Sequence, residues 1–231
     1  MNLGARSYQK ELLDGDFIPF ADIKQNMKEL DFINKWLGGH AITVAAFRKL
    51  AENRKQVSVC EIGCGGGDNL AAINRWCKKK EIKLTVTGID IKEECIEFAK
   101  NRENDLVDAN WITSDYRKVV FETKPDIIFS SLFCHHFNED QLVYQLQWMK
   151  ENSLIGFFIN DLQRNIIAYY SIKFLTGTFS KSYLVKNDAP LSVARGFTKN
   201  ELFEICRQAN IRNVKVSWKW AFRYLVTLKH D

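Results

Sequence analysis

The segment Glu61-Ile-Gly63-Cys-Gly65-Gly-Gly67-Asp68 constrains this chain more than any other. It follows a short apolar run, residues 57–62, and precedes a stretch with helical spacing, residues 69–80. In a strand, glycine loop and helix joined this way, the backbone approaches a ligand closely and the helix N-terminus presents unpaired N–H groups to it. The spacing narrows the ligand. A dinucleotide fingerprint asks for G-x-G-x-x-G, whereas this loop reads acidic-x-G-x-G-x-G, with Asp68 where the last glycine would fall. A carboxylate there repels a pyrophosphate and tolerates an ammonium.

The unit repeats downstream. Residues 84–89 have strand character and 92–101 helical spacing; 111–113, 127–131 and 156–159 are further short strands, with a helix over 139–151. Strands alternating with helices imply an α/β fold with a doubly wound, mostly parallel (Rossmann-like) sheet, because parallel strands need long crossovers. An N-terminal helical cap precedes it, with Ile23, Met27, Leu30, Ile33 and Leu37 at helical spacing, a break at Gly38-Gly39, and a second run over 41–51. Residues 166–184 interrupt the rhythm as an aromatic, apolar and basic insertion, with Gly177 inside and Pro190 beyond. Thr198 and Glu201 have capping-box spacing and open a helix to about Ala209; strand-like runs at 214–222 and 224–228 then form an antiparallel C-terminal pair. The 231 residues suit one domain: a helical cap (1–55), a cofactor-binding core (56–162), a substrate-cap insertion (163–197), and a closing helix and strand pair (198–231).

Composition excludes several classes. Hydrophobic residues at 46% and charged residues at 26% describe a globular chain. The N-terminus has no signal-type apolar core and no run reaches membrane-span length, so a cytoplasmic protein without a membrane span is expected. Six scattered cysteines suit free buried thiols. Cys60 and Cys64 flank a strand end, and Cys134, His135 and His136 supply no second ligand pair, so no metal is expected. From residue 164 onward there are 12 Lys and Arg against 4 Asp and Glu, a basic third within a chain of net charge +5.

Two acidic residues fall where an adenosyl ligand would need them. Asp90 ends the second strand, placed to accept hydrogen bonds from ribose hydroxyls, although it is equally placed to cap the helix after Lys92. Asp115, followed by Tyr116, ends the third strand, where a carboxylate meets an adenine amino group and the next N–H a ring nitrogen.

The glycine loop, Asp90, Asp115 and the strand Pro125-Asp-Ile-Ile-Phe-Ser-Ser-Leu-Phe, in this order, resemble the class I S-adenosylmethionine-dependent methyltransferases. That resemblance covers about residues 57–159 and implies S-adenosyl-L-methionine as cofactor and S-adenosyl-L-homocysteine as product. It implies that Glu61, Gly63, Cys64, Gly65, Gly67 and Asp68 line methionine and ribose. Asp90, with Ile91 beside it, would hold the ribose, Asp115 and Tyr116 the adenine, and the backbone around Ser131 would run along the methionine. Trp36-Leu-Gly-Gly-His40, Phe133-Cys-His-His-Phe137, Asn160-Asp-Leu-Gln-Arg164 with Ala168-Tyr-Tyr170, and Leu191-Ser-Val-Ala-Arg-Gly-Phe197 are similar to bacterial small-molecule methyltransferases found beside type III polyketide synthases. The implied acceptor is a small molecule, the hydroxyl of an aromatic or polyketide-like compound.

For such an acceptor, a neutral histidine at the carboxyl edge of the sheet would take the hydroxyl proton. His135 and His136 are the candidates, with Asp161 orienting one of them; Arg164, Tyr169 and Tyr170 are expected to bind substrate. Alternative readings of the residues stay open: Asp161 as a helix cap paired with Arg164, and the insertion's aromatics as core. Alternative functions are an RNA methyltransferase using the basic third and a non-catalytic cofactor-binding subunit. The strand-four tetrapeptide Ser130-Ser-Leu-Phe133 lacks a base-gripping pattern, so a nucleic-acid partner is not expected. The oligomeric state is open between monomer and homodimer.

Overall fold

In a computed structural model, residues 3–15, 17–101, 106 and 108–230 are described; Met1, Asn2 and Asp16 of the expected cap and Asp231 lie outside them. Seven strands form one sheet: β1 (Gln56–Ile62), β2 (Lys83–Asp90), β3 (Asn110–Thr113), β4 (Ile127–Ser131), β5 (Gly156–Leu162), β6 (Val214–Lys219) and β7 (Arg223–Lys229). Their order is β3-β2-β1-β4-β5-β7-β6, parallel except for β7, which runs antiparallel to both β5 and β6. The helices are α1 (Phe20–Trp36), α2 (Gly39–Ala51), α3 (Asp68–Lys79), α4 (Glu93–Lys100), α5 (Glu139–Asn152), α6 (Ile166–Phe179), α7 (Tyr183–Arg195) and α8 (Lys199–Gln208).

The alternation of side chains along each strand builds two cores. Val57 and Val59 of β1, Ile127 and Phe129 of β4, and Phe158 of β5 pack with α2 and α3; Cys60, Ile62, Ile128, Phe157 and Ile159 pack with α5 and α8 on the other face. Burial on both faces explains why these strands show continuous apolar runs. All six cysteines are free and buried, as their apolar settings suggest. No helix among the described residues is long and apolar enough to cross a membrane.

Local sequence sets the helix ends. Asn138 with Gln141 and Thr198 with Glu201 form reciprocal capping boxes at α5 and α8, the second as its spacing indicates. The insertion is two helices rather than one aromatic stretch, and α7 continues through Pro190. A proline inside a helix sacrifices a hydrogen bond; here Leu184, Val185, Leu191, Val193 and Ala194 are all buried, and that packing holds α7 together across it. The parallel strands β1, β2 and β4 and the end of β5 direct their carboxyl edges to one side, where open α/β sheets bind ligands. The segment 3–15, the later turns of α1, and α6 and α7 lie over that side.

Candidate active site

A cavity of about 920 Å³ opens at this edge. Its floor is the glycine loop. Gly63, Gly65 and Gly67 all have left-handed backbones, and a Cβ on Gly63 would lie 2.2 Å from the Phe133 ring, so only glycine fits there. The loop is sewn to β2: Cys64 N–H donates to Ile89 O at 3.1 Å and Gly65 N–H to Asp90 Oδ2 at 2.9 Å. Asp90 also accepts from Lys92 N–H at 2.9 Å, so it serves the helix start and the loop together while still lining the cavity. Glu61, Gly63, Cys64, Gly65, Asp68, Ile91, Asp115, Tyr116 and Ser131 share the same wall, brought together from the ends of four strands.

Gly67 departs from that set. It caps α3 beneath Trp111, whose ring a Cβ would approach to 2.6 Å, and it is absent from the cavity wall. Asp115 lines the cavity but directs its carboxylate onto Arg117, which holds it below the usual carboxylate range. Beside Ser131, Leu132 takes a left-handed backbone (φ 53°) with its N–H on Asn160 O, a strained position at the cavity wall.

Charge in the floor is unbalanced. Glu61 is buried with Oε1 accepting from Asn69 at 3.0 Å and Oε2 without a hydrogen-bond partner. Burial, then the charges of Asp68 and Asp90, push its carboxyl well above the usual range. Asp68 is 2.8 Å from His40 Nε2. Near the start of β7, Arg223 donates to Asn34 Oδ1 at 2.7 Å and has a buried Nη1 without a partner; burial lowers its guanidinium to about 10.

The turn after β4 carries the histidines. Asp161 Oδ2 accepts the backbone N–H groups of Phe133, Cys134 and His135, while Oδ1 meets His135 Nδ1 at 2.7 Å. His135 Nε2 faces Glu11 Oε1 at 3.5 Å. Burial alone would lower the imidazole, but the two carboxylates raise it to about 9. His136, also on the wall, has Nδ1 3.1 Å from Asp14 Oδ1. Asp161 does not line the cavity and acts on it through His135. Asn160, which the strand position directs to the site, instead donates to Gly39 O and Thr43 Oγ1 of α2.

The three residues expected to bind substrate lie off the cavity wall. Arg164 is buried away from the cavity, donating to Leu3 O, Gly196 O and, through two nitrogens, Glu201; it pairs with α8 and not with Asp161. Tyr169 and Tyr170 also leave the wall. Helical geometry explains this: α6 turns Ala168, Ser171, Ile172 and Leu175 inward at three- and four-residue spacing, which puts Tyr170 outside. Sequence reasoning missed Glu11, Asp14, Asp188 and Arg195. The 3–15 segment carries no periodic signal, yet Leu12 and Leu13 donate their N–H groups to Asp188 at 2.8 and 2.9 Å, and Arg195 holds Gln9 O, His135 O and His136 O.

Residues 59–151 match a family described as a methyltransferase domain. The mitochondrial ubiquinone biosynthesis O-methyltransferase of Saccharomyces cerevisiae is 25% identical over 138 residues, 54% of this chain; the chain spans about two-fifths (39%) of that curated relative. Among solved structures, the plantazolicin methyltransferase BpumL in complex with SAH (S-adenosylhomocysteine) superposes with a TM-score of 0.66 at 19% identity, covering 92% of this chain and 89% of that one. The magnesium protoporphyrin IX methyltransferase of Synechocystis PCC 6803 with bound SAM (S-adenosylmethionine) gives 0.52 at 12% identity over 94% and 86%. The sheet order and the superposition show that this chain shares the fold of those methyltransferases, and residues 59–151 match the methyltransferase-domain family.

Proposed function

We propose that this chain binds S-adenosylmethionine on the glycine loop and transfers its methyl group to the hydroxyl of a small aromatic or polyketide-like molecule. The observation that carries the reading is the acidic floor, where Glu61 has a buried, partnerless oxygen close to the charges of Asp68 and Asp90. Buried like charges are costly until a cation joins them. The cofactor's ammonium suits that floor, its ribose hydroxyls suit Asp90, and its carboxylate suits the unpartnered Nη1 of Arg223. A pyrophosphate would meet the same floor with repulsion, which disfavours a nicotinamide dinucleotide.

Bound S-adenosylmethionine supplies a methyl group on a positively charged sulfur, an already activated donor. What remains for the protein is to align the acceptor, exclude water and handle one proton. The cavity, near the upper end of the ~300–1,000 Å³ usual for small-molecule pockets, has room for both reactants. Ile172, Leu175 and Val185 from the two roof helices give the acceptor an apolar bed, and His135 and His136 give its hydroxyl a polar wall. Asp161 positions that wall by holding the backbone of the turn and one imidazole together.

Calorimetric titration with S-adenosylmethionine and S-adenosylhomocysteine, with NADH as control and an Asp90→Ala variant, tests the cofactor. Micromolar binding that the variant weakens is expected; folded protein that binds neither would sink the reading. Exposed Trp220 on the cavity wall, within the basic third of the chain, favours an RNA acceptor. RNA binding that falls steeply with salt would decide for it.

A further inference from the structure

We propose that Glu11, His135 and His136 form a site for a divalent transition-metal ion of the zinc class in the cavity wall. Their donor atoms lie within 4.8 Å of one another. His135 Nε2 is 3.5 Å from Glu11 Oε1, and His136 Nε2 is 3.8 Å from Glu11 Oε2. Ligands about 2.1 Å from one tetrahedral ion stand roughly 3.4 Å apart, so these groups already approach ligand spacing.

The second argument lies behind the rings. His135 Nδ1 is held by Asp161 at 2.7 Å and His136 Nδ1 by Asp14 at 3.1 Å. A carboxylate behind each Nδ1 aims the ring's Nε2 forward, the outer-shell arrangement that accompanies metal-bound imidazoles, and an ion bound there takes the place of the Nε2 proton. The backbone is braced as well, since Arg195 holds the carbonyls of both histidines and Arg6 donates to His135 O and Phe137 O. The carboxylates of Glu11, Asp14 and Asp161 surround the two rings and favour a cation between them.

Two imidazoles and a carboxylate, all on the wall, leave an ion open toward the cavity. An acceptor oxygen would arrive there, so the use of the ion rests on the function proposed above, whereas its binding does not. The sequence gives no hint of a third ligand because Glu11 lies far upstream in an unpatterned segment.

The test is calorimetric titration of the chelator-treated 231-residue chain with Zn²⁺, and with Co²⁺ followed by visible absorption. S-adenosylmethionine is titrated separately into every variant. One equivalent of metal and the visible bands of tetrahedral Co²⁺ are expected. Glu11→Gln and His136→Ala each lower affinity at least about tenfold, and Asp14→Asn about tenfold. His40→Ala, in the separate cluster with Asp31 and Asp68, leaves metal binding unchanged. No binding by the unsubstituted protein, equal affinity in Glu11→Gln and His136→Ala, or loss in His40→Ala overturns the proposal. Cofactor binding retained by Glu11→Gln shows a folded protein and separates failure of the metal site from failure of the cofactor reading.

Discussion

The floor and the roof of the cavity are built by different rules. The floor comes from strand ends and a glycine loop whose partners are local: Gly65 meets Asp90, and Asp90 meets Lys92. The roof comes from side chains that meet across most of the chain, as when Asp188 accepts from Leu12 and Leu13 or Arg164 donates to Leu3 O. A site made by backbone geometry is specified by a short motif; a site made by distant side chains is specified only by the finished fold. Substitutions at the two places should therefore fail differently.

The largest effect is expected in the floor. Gly63→Ala places a Cβ into the Phe133 ring on a left-handed backbone, so cofactor affinity should fall at least about a hundredfold, with about 1–2 kcal/mol of backbone strain besides. Calorimetry and a urea melt read the two separately; unchanged affinity would break the contrast. Next comes Arg164→Met in the roof, which leaves Glu201 without its buried partner. It should cost about 2–3 kcal/mol in urea unfolding, while cofactor affinity stays as it was. The Glu201 carboxyl is held below its ordinary 4.5, despite partial burial, by the Arg164 hydrogen bonds. Because the folded state binds its proton less readily, that stabilisation is present above pH 4.5 and fades as pH falls through the lower folded value. Stability of the variant should consequently show less acid dependence than the parent's.

Glu61→Gln sharpens the comparison because its two effects have opposite signs. Removing a buried, like-charge-crowded carboxylate should leave the ligand-free protein equally or more resistant to urea. Its S-adenosylmethionine affinity should drop about tenfold, or about 1.4 kcal/mol. A parallel loss of both would mean that Glu61 is structural. The smallest effect belongs to Tyr170→Ala, which should change stability by less than about 0.5 kcal/mol and leave acceptor KM alone, whereas Ile172→Ala, one turn position inward, should raise that KM severalfold.

Much of the floor was legible in advance. Residues 127–131 form β4 as their apolar run indicates, Thr198 and Glu201 cap α8, and all the anticipated floor residues except Gly67 share one wall. Those elements announce themselves through periodicity, capping chemistry and glycine spacing, which act over a few residues. Arg164, Tyr169 and Tyr170 lie off the wall because nearness to a strand end says nothing about which way a helix will turn its faces. Glu11 and Asp14 were invisible because a segment fixed by the Asp188 carboxylate of α7 and by arginine side chains needs no pattern of its own.

The grip of Asp188 on Leu12 and Leu13 also orders events in time. Leu12 and Leu13 are synthesised well before their docking partner Asp188, with all of β1 to β5 made in between. Contacts of such long sequence separation form slowly. A nascent chain can thus assemble the glycine-loop half of the sheet first, and the roof closes only when α7 has been delivered and the 3–15 segment returns to it.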